Sequence, residues 1–114
     1  MKDCLFCKII NQEIPSKKVF ENETIYAFED IDKKAPTHIL IIPKKHINSV
    51  ALMTDEDMLL MSEITKAARD IAEAQGIDKS GYRLVINHGS DGGQAVSHIH
   101  MHLLGGRSLT WPPG

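Results

Sequence analysis

His98-Ile99-His100-Met101-His102-Leu103-Leu104 alternates imidazole with aliphatic side chains through His102. A strand sends successive side chains to opposite faces. His98, His100 and His102 therefore share one face, at intervals of roughly 6.5–7 Å. Ile99, Met101 and Leu103 take the other face, under a covering helix. A solvated strand face more often carries Thr, Lys or Glu, so the imidazoles point to chemistry. Two chemistries compete. Zinc takes three His in some enzymes, but three alternate positions of one strand spread over roughly 13 Å, and ligands must converge within about 2 Å of the ion. One strand cannot supply all three. The other chemistry is nucleophilic catalysis by a single imidazole, its neighbours orienting it and binding an anion. His100, supported from both sides, is the candidate.

The preceding stretch, His88-Gly89-Ser90-Asp91-Gly92-Gly93-Gln94, is a glycine-rich loop. Glycines let backbone N–H groups approach and cradle an anion. Outward from there, Tyr82 to Asn87 reads as a strand and Val96 to Leu104 as the last one, broken by Gly105-Gly106. Thr54 to Gln75 reads as the long helix, opened by a Thr54/Asp57 capping box and stopped at Gly76. Its buried stripe is Leu60, Ile64, Ala67, Ile71 and Ala74. His38 to Ile42 is an apolar run suited to a strand covered on both faces, stopped by Pro43. Lys17–Glu21 and Thr24–Glu29 read as strands around Asn22-Glu23, and Cys4 to Gln12 as a short helix ended by Pro15. Strands and one dominant helix without regular βαβ alternation predict an α+β fold with a mostly antiparallel five-stranded sheet, one long helix and one short one.

The chain has 114 residues, room for one domain spanning 1–114. Its net charge of −2 disfavours a polyanion binder, so no nucleic acid is expected as a partner. No apolar run reaches membrane-span length, and no signal-peptide core is read at the N-terminus. Two Cys without a secretion signal suit a reducing, cytoplasmic setting, where metal binding or free thiols are expected over a disulfide.

With its ordered segments, the chain resembles the histidine triad (HIT) family, specifically the Hint branch of nucleoside phosphoramidate hydrolases. The resemblance rests on the His98–Leu104 motif together with Ala27-Phe28-Glu29-Asp30-Ile31, Ala35-Pro36-Thr37-His38, Ile42-Pro43-Lys44-Lys45-His46, Asp91-Gly92-Gly93-Gln94, Leu104-Gly105-Gly106-Arg107 and Trp111-Pro112-Pro113-Gly114. It implies a homodimer with sheets joined across the interface. It implies that His100 attacks the phosphorus of a purine nucleoside 5′-phosphoramidate, or of a related adenylate such as aminoacyl-AMP, and that water then releases the monophosphate. His102 would bind a phosphate oxygen, His38 would support the network, and the carbonyl of His98 would fix the His100 tautomer. Asn87, with the backbone of Gly93 and Ala95, would contact the phosphate region. Asp30 would accept the ribose hydroxyls, Phe6, Ile9, Ile14, Phe28 and Ile31 would surround the base, and Trp111 would shape the leaving-group side. Ala95 stands where eukaryotic members carry a Ser that assists the leaving group. Two alternatives remain: a dinucleoside polyphosphate hydrolase, and a purine-nucleotide-binding regulatory module.

Cys4 and Cys7 have the spacing at which one turn presents two thiolates to a metal. No strand precedes them, as a redox Cys-x-x-Cys would require. Resemblance to bacterial HIT proteins with this Cys pair implies His46 and His98 as the remaining ligands of a structural zinc. No organic cofactor is expected.

Overall fold

In the computed structural model, which describes residues 3–114, strands β1 (Lys18–Glu21), β2 (Ile25–Glu29), β3 (Thr37–Pro43), β4 (Tyr82–Ile86) and β5 (Met101–Gly105) form one sheet. The order is β1-β2-β3-β5-β4, and every neighbouring pair is antiparallel. Helix α1 (Leu5–Ile10) covers one face and helix α2 (Met58–Ala74) the other. No helix is long and apolar enough to cross a membrane.

The alternation in β3 decides how the layers assemble. Ile39 and Ile41 join Ile25, Ala27, Met101 and Leu103 beneath Ile64, Ala68 and Ile71 of α2. Leu40 and Ile42 join Tyr26 and Phe28 beneath Cys4, Phe6, Cys7 and Ile9. Each fully buried Ile or Leu contributes about 1.5–3 kcal/mol of transfer free energy, so β3 ties both layers together. Register then places functional positions side by side. His38 pairs with Leu104, and Leu40 with His102. Arg83 pairs with Leu104, and Val85 with His102.

The ends of α2 follow local chemistry. Thr54 N–H donates to Asp57 Oδ2 and Asp57 N–H to Thr54 Oγ1, each at 3.1 Å, the reciprocal capping box. Lys45 Nζ lies 2.6 Å from Asp57 Oδ1, and these bonds hold the Asp57 carboxyl below its ordinary range. At the far end Gly76, with φ +74, lets Ile77 N–H reach Ala72 O and Gly76 N–H reach Glu73 O, a Schellman closure.

Several expected boundaries move. The last strand starts at Met101, not Val96, because residues 96–98 bend. Gly105 pairs with both Thr37 and Tyr82, so it belongs to the strand that it was expected to break. Pro43 likewise completes β3, opposite Ile25. The short helix stops at Ile10, and the chain turns at Gln12, with φ 63, well before Pro15. Regular α2 begins at Met58, after a turn over residues 55–57. Of the expected stripe, Ile64, Ala67 and Ile71 are buried and Leu60 is half-buried, but Ala74 is exposed, and Ala68 and Ala72 are buried in addition.

Candidate active site and a Cys2His2 cluster

A cavity of about 610 Å³ opens on the α1 side of the sheet. This is the size of a small-molecule site. Of the expected nucleotide contacts, Phe6, Ile9, Ile14, Phe28, Asp30, Ile31, Asn87 and Ala95 line it, together with His38, His100 and His102. Its wall is apolar along α1 and β2, and its floor is imidazole and amide. Asn87 lies one residue beyond the end of β4.

His100 is buried, and its ring Nδ1 is 2.8 Å from the carbonyl of His98. The carbonyl can only accept, so Nδ1 carries the proton and Nε2 presents a lone pair. Phe6 packs on this ring, with centroids 5.1 Å apart. His102 stands beside it, at a centroid distance of 5.0 Å. His102 Nδ1 is 2.9 Å from His38 Nε2, and Lys34 N–H donates to His38 Nδ1 at 3.1 Å. His102 Nε2 is buried and has no partner among the described residues. Burial, reinforced by neighbouring imidazoles, pushes His102 down to about 4, and burial lowers His38 too. Both are neutral at pH 7.

Asp30 has two jobs available to it. Its Oδ1 accepts the N–H of Asp32 at 2.8 Å, an Asx turn ending β2. Its Oδ2 lies 3.4 Å from His38 Nε2. The turn thus aims the carboxylate along the cavity edge.

The glycine loop departs from the expected anion cradle. Gly93 N–H is engaged with Ser90 O at 3.1 Å, and Gly93 is absent from the cavity wall. The loop is instead closed by Gln94, whose amide bonds Gly89 N–H, Asn48 O and Val96 O. At Gly92 a Cβ would stand 2.2 Å from His88 O, so only glycine fits that fold of the loop. Trp111 is also off the wall and 80% exposed, with the Arg83 guanidinium 5.9 Å over its ring. Arg83 donates to Leu109 O and Thr110 O, and Pro113 of the tail reaches the cavity. Lys34, Arg83 and Pro113 were not among the expected site residues.

His98 faces away from the cavity, into a cluster with Cys4, Cys7 and His46. Their ligand atoms lie within 4.8 Å of one another. Sγ–Nδ1 separations are 3.3 Å for Cys4–His98, 3.4 Å for Cys7–His46 and 3.6 Å for Cys7–His98. A tetrahedral zinc with these ligand types requires edges of about 3.6 Å, from its bond lengths. Both imidazoles point Nδ1 inward and tie Nε2 to an oxygen, His98 to Pro43 O at 2.8 Å and His46 to Asn48 Oδ1 at 2.6 Å. That second bond is what orients a metal-binding histidine. Burial lowers His98 to about 4, so the ring is neutral, and burial with the adjacent Cys4 raises Cys7. The donor set fits zinc. A second cluster, Asp30, His38 and His102, also has metal-compatible spacing.

Comparison with known proteins agrees with this architecture. The HIT domain model matches residues 11–109. A HIT family hydrolase from Legionella pneumophila superposes with a TM-score of 0.96 at 55% identity, covering 98% of this chain and 100% of that one. A histidine triad nucleotide-binding protein from Candida albicans gives a TM-score of 0.82 at 34% identity, over 96% of this chain and 83% of that one. The 14 kDa zinc-binding protein of Zea mays is 46% identical over 112 residues, 96% of this chain and 87% of its own length. With the imidazole strand, the sheet order and the family model all in agreement, this chain belongs to the histidine triad (HIT) family.

Proposed function

We propose that this protein hydrolyses purine nucleoside 5′-phosphoramidates, or related adenylates such as aminoacyl-AMP, through a covalent nucleotidyl-histidine. The observation that carries this reading is the pair of neighbouring imidazoles, His100 and His102, that line the cavity. His100 donates from Nδ1 to the His98 carbonyl, which leaves Nε2 as a nucleophile, and the neighbouring ring of His102 has its Nε2 without a partner among the described residues. A phosphate oxygen would satisfy His102.

In the first step on a phosphoramidate His100 Nε2 bonds to phosphorus, the phosphorus–nitrogen bond breaks, and the amine departs with a proton from solvent; on an aminoacyl adenylate the phosphorus–oxygen bond breaks instead and a carboxylate departs. Ala95 has no side-chain donor to supply that proton. In the second step water adds its oxygen to phosphorus, the bond to Nε2 breaks, and a proton returns to solvent. The products are the monophosphate, the amine or carboxylate, and free His100. Asn87 supplies a neutral amide where charge grows on the phosphate oxygens. Asp30 accepts the ribose hydroxyls, and Phe6, Ile9 and Phe28 bury the base. The names of two relatives, a HIT family hydrolase and a histidine triad nucleotide-binding protein, support the class of chemistry.

Cys4, Cys7, His46 and His98 would hold a structural zinc, and the zinc-binding name of the maize relative supports this. With four protein ligands the site would have no position left for water, and a bound ion would pin α1 to the sheet. A homodimer would cover the free edge of β4 and the exposed Leu52, Met58 and Leu59. Two free thiols suit a reducing cytoplasm.

The test is turnover of adenosine 5′-phosphoramidate beside diadenosine triphosphate, with an acid-free quench and mass spectrometry of the trapped protein. Preference for the phosphoramidate and an AMP adduct on His100 are expected. An adduct elsewhere, or negligible turnover with intact AMP binding, would sink the covalent reading.

A further inference from the structure

Arg107 is not among the residues that line the cavity, and its hydrogen bonds go to carbonyls, yet it holds the residue that sets the protons of His38 and His102. Its Nε and Nη2 both donate to the carbonyl of Lys34, at 3.0 and 2.9 Å. The guanidinium forks onto one oxygen from a side chain that starts just beyond β5. Lys34 N–H in turn donates to His38 Nδ1 at 3.1 Å. A backbone N–H can only donate, so His38 Nδ1 must be the bare nitrogen of a neutral ring, and the proton sits on Nε2. That Nε2 lies 2.9 Å from His102 Nδ1, which therefore accepts. The remaining proton of His102 is forced onto Nε2, the buried nitrogen with no partner among the described residues.

We propose that Arg107 is a positioning residue, which acts through the Lys34 backbone and His38 to hold His102 as the Nε2–H tautomer and so keep a donor aimed at the phosphate. The two histidines thereby take opposite tautomers. His100 is Nδ1–H by its bond to the His98 carbonyl and offers a lone pair, while His102 is Nε2–H and offers a proton. Reversing the second would set a lone pair against a phosphate oxygen and turn attraction into repulsion. The same wiring decides against the second metal-compatible cluster. A cation among Asp30, His38 and His102 would need His38 Nε2 stripped of its proton while Nδ1 already accepts from Lys34, which demands an imidazolate.

The kinetic consequence rests on the phosphoryl-transfer reading, but the tautomers do not. The experiment is therefore ¹⁵N NMR of the imidazole rings at pH 7.5 in the full chain, with Arg107→Ala, Arg107→Lys and Lys34→Ala variants. Expected is a pure Nε2–H pattern at His102 in the wild type and a mixed pattern in Arg107→Ala. Arg107→Lys, which keeps one donor, should lie between them. Lys34→Ala keeps the backbone N–H and carbonyl and should match the wild type in its ring pattern. In turnover of adenosine 5′-phosphoramidate, Arg107→Ala should lose about tenfold in kcat with KM changed less than twofold, the scale of one charge-assisted hydrogen bond. An Nδ1–H pattern at wild-type His102, a pattern unmoved in folded Arg107→Ala, or a change in Lys34→Ala as large as in Arg107→Ala overturns the proposal. Absent turnover with the expected ring patterns would remove the phosphoramidase reading and leave the relay standing.

Discussion

Phe6 meets the ring of His100 nearly at a right angle, at 87°, and its ring also lies 5.8 Å from that of His98. One aromatic side chain of α1 thus touches both the candidate nucleophile and a ligand of the metal cluster. Phe6 lies two residues from Cys4 and next to Cys7, so anchoring α1 also places the aromatic wall of the cavity.

Phe6→Leu tests this coupling. The substitution keeps most of the volume and should cost less than about 1.5 kcal/mol in stability. It removes an aromatic pair worth about 0.5–1.5 kcal/mol, so kcat on a phosphoramidate should fall roughly 2- to 12-fold. A folded variant with unchanged kcat would show that the ring only fills space.

Removing the metal ligands should act at a distance. Cys4→Ser with Cys7→Ser should abolish zinc, which elemental analysis should find at about one per chain in the parent protein. Its melting temperature should drop, and kcat should fall far less than in His100→Ala. Parent protein that is free of zinc when prepared without chelator and with reduced thiols would exclude the structural site.

Asp30 offers a specificity test. Its side chain is 20% exposed, so hydroxyls bonded to it leave water only partly. Asp30→Ala should shrink the preference for ribonucleotides over 2′-deoxyribonucleotides by roughly 10- to 150-fold, the range of a hydrogen bond to a charged group. Equal kcat/KM ratios in parent and variant would remove Asp30 from ribose recognition.

Stability should fall on mild acidification. His38 and His102 have folded values below the ordinary 6.5, with His102 at about 4. Between these limits the unfolded chain binds protons that the native state refuses, so stability is full above pH 6.5 and declines toward pH 4. Glu21 and Glu29, lowered from 4.5 by Lys44 and Lys33, join only below that value. Urea denaturation at pH 7.5 and pH 5 should show the decline, and His102→Gln should make it shallower, with His38 and His98 supplying the rest. Stability that rises toward pH 5 would contradict the buried neutral histidines.

Periodicity made most of this fold readable. The unbroken apolar run of β3 anticipated a strand buried on both faces, and the alternation from His100 separated His100 and His102 on the cavity side from Met101 and Leu103 under α2. What periodicity could not show is that His98 and His100 lie outside the ladder. Ile99 N–H reaches Ile47 O at 2.7 Å and His98 Nε2 reaches Pro43 O, contacts between segments roughly fifty residues apart. The roles of Lys34 and Gln94 were equally hidden. Lys34 acts through its main chain, which every residue but proline carries, and Gln94 replaces by side-chain bonds the cradle that glycines suggested. Arg107 was visible within Gly105-Gly106-Arg107, but nothing local says that its target is a carbonyl 73 positions away.

The bend at residues 96–98 has a consequence for anyone who would transplant this chemistry. Three histidines written at alternate positions of a flat host strand would stand as a picket fence, each facing the same way with the same freedom. Here the chain joins the ladder only after His100, so His98 can look toward the Cys pair while His100 leans on the carbonyl of His98. A working graft would have to carry the kink, the Pro43 carbonyl and the Ile47 carbonyl along with the imidazoles.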